Sequence, residues 1–205
     1  MSSTSLRLTF APWGESLAEI VEVSQQAEAA GADVVWAPEM HRSATITAAA
    51  MSAGTSTIGV GTAIALAFTL APMITALEAM DLDEMSKGRF ILGLGTGVQR
   101  VNEDWYNAQW GKPVAHIRET VNIIREFIKQ CSTGEPIDID GEYEHMKIKG
   151  YQRTYHRERE SIPIYLAGVG SVMVRTAGEI ADGWISHELC SPAFVQGQVL
   201  PAITE

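Results

Sequence analysis

The succession of apolar runs predicts a parallel α/β fold, either a doubly wound sheet or a (β/α) barrel. Two observations lead there. Short β-rich runs alternate with helix-patterned segments, and such alternation builds a parallel sheet covered by helices. The strand runs are also almost continuously apolar, as strands buried on both faces are.

In chain order, Leu6 to Phe10 reads as a short strand. Ser16 and Glu19 form a capping-box signature, Leu17, Ile20, Val21, Ser24 and Ala27 keep helical spacing, and Gly31 follows as a stop. Val34 to Ala37 is a second strand, Ile46 to Ala53 a small-residue helix, and Ile58 to Ala67 a third strand. Pro72 suits the first turn of a helix running to Met85. Phe90 to Leu94 is a fourth strand. Val114 to Gln130 is an amphipathic helix, with Ile117, Val121, Ile124 and Ile128 on one face. The rhythm breaks at Ile137 to Ile148, where Asp140-Gly141 signals a hairpin turn. It resumes with a fifth strand at Pro163 to Ala167, a helix at Ser171 to Ala181, and a sixth strand at Gly183 to Ser186. A last helix opens at Ser191-Pro192, and Pro201 is expected to cut it short.

The 205 residues suffice for one good-sized core, so residues 1–205 are expected to form one domain, with an insertion at about 131–162. The formal net charge of −10 disfavours nucleic acid and anionic lipid as partners. Two distant cysteines make neither a disulfide framework nor a metal motif, and a cytoplasmic address fits them. Met1 to Phe10 lacks the form of a signal peptide. Ile58 to Leu77 is uncharged for 20 residues, but its threonines, glycines and Pro72 suit a buried strand, a loop and a helix start better than a membrane span. The basic stretch from His145 to Arg159 reads as a solvated insertion on so acidic a chain.

Three strand exits carry chemistry. Glycines at 93, 95 and 97 follow the fourth strand and let a ligand approach the backbone. They do not open a helix as a dinucleotide fingerprint would, because position 98 is Val. Gly168, Val169, Gly170 and Ser171 join the fifth strand to a helix, and free N–H groups there can cradle a phosphate. Glu39 and His41 follow the second strand and supply carboxyl and imidazole for proton transfer. His187 to Ser191 lacks a zincin's second His, and Asp138 to Gly141 lacks the remaining calcium ligands, so no metal is expected.

Taken together, Ala29 to Trp36, Gly61 to Ala65, Leu82 to Gly97, Pro163 to Ala167 and Ala181 to Trp184 resemble the luciferase-like monooxygenase superfamily, particularly its branch dependent on the deazaflavin coenzyme F420. The run L-D-x-x-S-x-G-R-F-x-L-G-x-G-T-G is the most specific part. The resemblance implies a TIM-like barrel of the bacterial-luciferase type, here with six of eight strands and a hairpin insertion before strand five. It implies a non-proline cis peptide at Ala63-Ile64 under the cofactor ring, a loop contact from Gly95, Thr96 and Gly97, and a phosphate turn at Gly168, Val169, Gly170 and Ser171. Met40 separates Glu39 from His41, where many relatives have an acidic residue followed directly by His, and Val98 stands where some relatives carry a second carboxylate.

The resulting expectation is an oxidoreductase that moves a hydride between a small organic substrate and F420, with His41 or Glu39 as the proton-transfer group. An FMN-dependent monooxygenase and a non-catalytic flavin-binding protein are the alternatives. An open six-stranded barrel would leave apolar surface exposed, so a homodimer is expected.

Overall fold

The computed structural model describes residues 7–204. Its elements are β1 (Thr9–Phe10), α1 (Leu17–Ala29), β2 (Val34–Ala37), α2 (Ala44–Gly54), β3 (Gly59–Thr62), β4 (Ala65–Leu66), α3 (Pro72–Met85), β5 (Phe90–Gly95), α4 (Pro113–Gln130), β6 (Ile137–Asp140), β7 (His145–Ile148), β8 (Ile164–Ala167), α5 (Ser171–Ile180) and β9 (Gly183–Ile185). A last helical stretch joins α6 (Pro192–Phe194), a π-helical turn over Val195–Val199, and α7 (Leu200–Ile203).

The main sheet is wholly parallel, in the order β1-β2-β3-β5-β8-β9, with β4 also paired to β5. Apart from the hairpin, strand order follows chain order. The helices do the same: α1 packs on α2, α2 on α3, α3 on α4, α4 on α5, and α5 on α7. A doubly wound sheet would divide its helices between two faces. One unbroken belt of helices over a sheet in chain order is the wall of a (β/α) barrel, open among the described residues between β1 and β9.

Side chains alternate across this wall. Val35, Ala37, Val60, Phe90, Leu92, Leu94, Ile164 and Leu166 face the helices and are fully buried with Ile117, Ile124 and Phe127 of α4. The helix-free face carries Trp36, Ile91 and Tyr165 in partial exposure, interleaved with glycines. Register places Trp36 beside Gly61, Gly61 beside Ile91, and Tyr165 between Gly93 and Gly183. A Cβ on Gly61 would meet the Trp36 ring at 2.4 Å, so the large rings lie over residues that have no side chain.

Several boundaries differ from the sequence expectation. Leu6 lies outside the described residues, and the first strand starts at Thr9. The small-residue helix begins at Ala44, two residues early, because the Ser43 hydroxyl caps it by accepting the Ile46 N–H. The third strand is two strands, β3 and β4, parted by a cis peptide at Ala63-Ile64. At the break the Thr62 hydroxyl accepts the Gly93 N–H at 2.9 Å and donates to the Gly93 carbonyl at 2.7 Å, replacing ladder bonds. Gly95 is followed after five residues by a π-helical turn, Val101–Trp105, which the polar sequence there conceals. The hairpin loop spans four residues, 141–144, rather than a two-residue turn at Asp140-Gly141. Pro201 does not end the last helix. The wide π turn before it, closed by Leu200 N–H to the Val195 carbonyl, accommodates a residue that lacks a donor.

The uncharged run from Ile58 to Leu77 becomes β3, β4 and the start of α3, and no described helix is long and apolar enough to cross a membrane. Much of the basic stretch is engaged by acids: Arg153 meets Asp81 at 2.6 Å, Arg159 grips buried Asp83, and Lys147 meets Asp138 at 3.0 Å.

Candidate functional site

Because the sheet is parallel, every strand exit opens on the same edge, and four exits carry the residues singled out above. Backbone bonds set their spacing. Ala63 N–H donates to the Ala37 carbonyl at 2.8 Å, and Glu39 N–H donates to the Ile64 carbonyl at 3.1 Å, so the β2 exit is tied to the cis peptide. Ala67 N–H donates to the Gly95 carbonyl at 3.0 Å, tying the β4 exit to β5.

The glycine loop after β5 is built for close approach. A Cβ on Gly95 would strike the Ile64 side chain at 2.2 Å. Gly97 has a φ of +66°, which favours glycine, and its missing Cβ would meet Leu66 at 2.5 Å. Below it, fully buried Asn102 donates through Nδ2 to the Thr96 carbonyl at 2.8 Å and the Val98 carbonyl at 3.0 Å. Its Oδ1 is buried without a partner among the described residues.

At the β8 exit, Gly170 is the N-cap of α5 and provides no side-chain cap, so the first amides of this ten-residue helix have no such acceptor. Val169, Gly170 and Ser171 are exposed and border a cavity of about 200 Å³ closed by Val174, Phe194, Gln198 and Val199. The Trp184 indole donates to the Gly168 carbonyl at 2.8 Å and fixes the turn from β9.

The β2 exit separates its two candidates. His41 is exposed and makes no hydrogen bond or ion pair with the described residues. Glu39 is half-buried and accepts the Ala44 N–H at the start of α2, at 3.1 Å. It lines a second cavity, of about 230 Å³, with Thr45, Leu66, Thr75, Glu78 and Tyr106 among its walls. Burial pushes the Glu39 carboxyl above the ordinary carboxylate range, the Ala44 amide pulls it partly back, and the charge of Glu78 pushes it up again. Glu78, from the middle of α3, is likewise raised by burial and by Asp81, against a hydrogen bond from Thr45.

Glu78, Asn102 and Thr62 were not singled out by sequence. For Asn102, a polar residue five positions past the G-T-G loop was the only signal. For Glu78 there was none, since α3 is apolar on several sides.

The family model described as luciferase-like monooxygenase matches residues 3–204. A protein of Mycobacterium tuberculosis named as a coenzyme F420-dependent oxidoreductase is 32% identical over 194 residues, covering 88% of this chain and 54% of the relative. The structure of the coenzyme F420-dependent tetrahydromethanopterin reductase from Methanopyrus kandleri superimposes with a TM-score of 0.81 at 24% identity, over 97% of this chain and 59% of that one. The oxygenating constituent of 3,6-diketocamphane monooxygenase from Pseudomonas putida, in complex with FMN, gives a TM-score of 0.64 at 16% identity, over 86% and 60% of the two chains. The chain thus spans little more than half the length of such proteins.

Proposed function

The chain belongs to the luciferase-like monooxygenase family, and from that premise we propose that it is an oxidoreductase using a deazaflavin, coenzyme F420, to move a hydride to or from a small organic substrate. One observation carries the proposal. An uncapped helix N-terminus, a glycine-rich loop and a half-buried carboxyl group share one edge of the sheet.

These features fit such a cofactor. The exposed amides at Gly170 and Ser171, with the helix dipole behind them, suit a phosphate, and the adjoining cavity has room for one. Gly95, Thr96 and Gly97 offer a backbone surface to a flat ring, beside Ala63 and Ile64. When bound, the cofactor would supply the hydride chemistry. The protein's own task is the proton. Moving a hydride to a carbonyl requires a proton at the oxygen, and Glu39, held partly out of water, is the group placed to hold one. His41, on the exposed loop, is the second candidate.

The test has two parts. Titration of the purified protein with oxidised F420 and with FMN, followed by absorbance and fluorescence, is expected to show saturable F420 binding and weaker FMN binding. Submicromolar FMN binding with no detectable F420 binding would reverse the assignment in favour of an FMN-dependent monooxygenase, and binding without turnover would favour a flavin-binding protein. With secondary alcohols as a substrate panel, Glu39→Gln is expected to lower turnover by about 10²–10⁴-fold while leaving cofactor affinity nearly unchanged.

A further inference from the structure

The cavity at the β2 and β4 exits holds two carboxyl groups on different elements. Glu39 enters from the loop after β2 and Glu78 from α3. Among the described residues neither an arginine nor a lysine lines the space to compensate two negative charges. Hydroxyls of Ser43, Thr45, Thr69, Thr75 and Tyr106 also line the space, but few donors bond the two carboxyls. Glu39 has the Ala44 amide and Glu78 has Thr45, whose hydroxyl is also 3.1 Å from that of Ser43. Glu78 Oε2 is buried and has no hydrogen-bond partner among the described residues. An oxygen so placed is costly on an anion and tolerable on a neutral acid.

The other charged neighbours do not change this balance. Asp81, one turn along α3, adds negative charge at Glu78 while itself pairing with Arg153. Arg42, on the Glu39 loop, is engaged by the Glu15 carbonyl. His41 is exposed, and Tyr106 is the remaining ionisable group in the lining.

We infer that Glu39 and Glu78 act as one acid–base unit that carries a single proton as a pair, Glu39 toward the reacting atoms and Glu78 as its positioning partner. Two carboxyl groups facing one poorly solvated space do not readily ionise together, and their protons leave in two separated steps. Catalytic use of the unit rests on the proposed oxidoreductase function; the pairing itself does not. In the reducing direction a substrate carbonyl would gain a hydride from the reduced cofactor and a proton from Glu39. Glu39 is left as the anion, and a proton from solvent restores the pair.

The pairing is tested on the cofactor-free 205-residue protein carrying 13C-carboxyl-labelled glutamate. Carboxyl resonances are followed against pH, with Glu39→Gln and Glu78→Gln for assignment. In wild type the two carboxyls should titrate in separated steps, the later one above the ordinary range. Glu78→Gln should move the Glu39 midpoint to lower pH, Glu39→Gln should do the same to Glu78, and Glu78→Asp should restore the Glu39 midpoint toward wild type. Midpoints indifferent to the partner overturn the pairing. A pH–rate profile then separates the two claims. A carboxyl-dependent limb that moves to lower pH in Glu78→Gln is the expected result. A limb that stays fixed while the resonances shift overturns the catalytic role of Glu39 but not the pair.

Discussion

Thr62 shows how one hydroxyl can shape a strand exit. It both accepts from and donates to the backbone of Gly93, and a Cβ on Gly93 would lie 1.8 Å from the Thr62 carbonyl. Thr62→Val keeps the shape and leaves two buried backbone groups unsatisfied, which costs about 1–3 kcal/mol. Urea unfolding should show that loss, and Thr62→Ser should recover most of it. Position 62 was legible only as part of an apolar run. The strand exits themselves were legible, because a run of β-branched residues ending in glycine or proline marks where backbone leaves the sheet. That is why Glu39, His41, the glycines at 93, 95 and 97, and Gly168 to Ser171 were candidates from the residues alone, whereas Ala63, Ile64 and the ring contact of Thr96 were candidates only through the family resemblance. Glu78 and Asn102 were candidates on neither ground, since which face of a helix meets a loop is decided by packing rather than local sequence.

Among the elements, α1 and the start of β3 are joined by Glu28. Its carboxylate accepts the backbone N–H groups of Ser56 and Ile58 at 2.9 Å each, with Thr57 contributing both its N–H and its hydroxyl. Burial raises this carboxyl, but those four donors outweigh it and bring it from 4.5 down to about 2. A carboxyl lowered on folding contributes stability above its unfolded value, and the contribution is lost as pH falls through the folded one. Glu28→Gln should therefore be less stable than wild type at neutral pH, with the gap closing between about pH 4.5 and pH 2 in thermal melts. The hairpin uses the same device: Glu119 of α4 accepts the N–H groups of Glu142, Tyr143 and Glu144, at 3.1, 2.8 and 2.9 Å. This explains why a dipeptide turn signal at Asp140-Gly141 misjudged the loop. The turn is organised by a side chain more than twenty residues away. The hairpin itself, and the amphipathic α4 beneath it, were plain from alternation and spacing.

Across the whole molecule, the polar clamps gather where strands begin. Asp33 accepts the Leu8 N–H before β1, Glu28 serves β3, and Asp182 accepts the Ile164 N–H at the start of β8. Arg89, just before β5, donates to carbonyls of Ser52, Thr55, Ile58 and Ser86, and Arg159 joins Asp83 to the Phe90 carbonyl. Most of the recognisable L-D-x-x-S-x-G-R-F run thus belongs to this end, and only its G-T-G tail reaches the opposite one. The helix-free face leaves Trp36, Ile91 and Tyr165 partly exposed, and among the described residues β1 and β9 have unpaired edges. Self-association of the 205-residue chain is expected on that ground. Light scattering after size exclusion should give at least a dimer mass, and a monodisperse monomer would contradict it.

The clamps at the strand starts have a consequence for how such a protein can change. Cohesion is concentrated at one rim and chemistry at the other, so the exit loops can vary in sequence without withdrawing the bonds that keep the strands in register. The loop from Pro38 to Ser43 is anchored through the Glu39 N–H, the Glu39 carboxyl and the Ser43 hydroxyl, so a change there acts on one helix start and one neighbouring strand exit, whereas a single change at Arg89 would be felt at the ends of two helices and ahead of a strand.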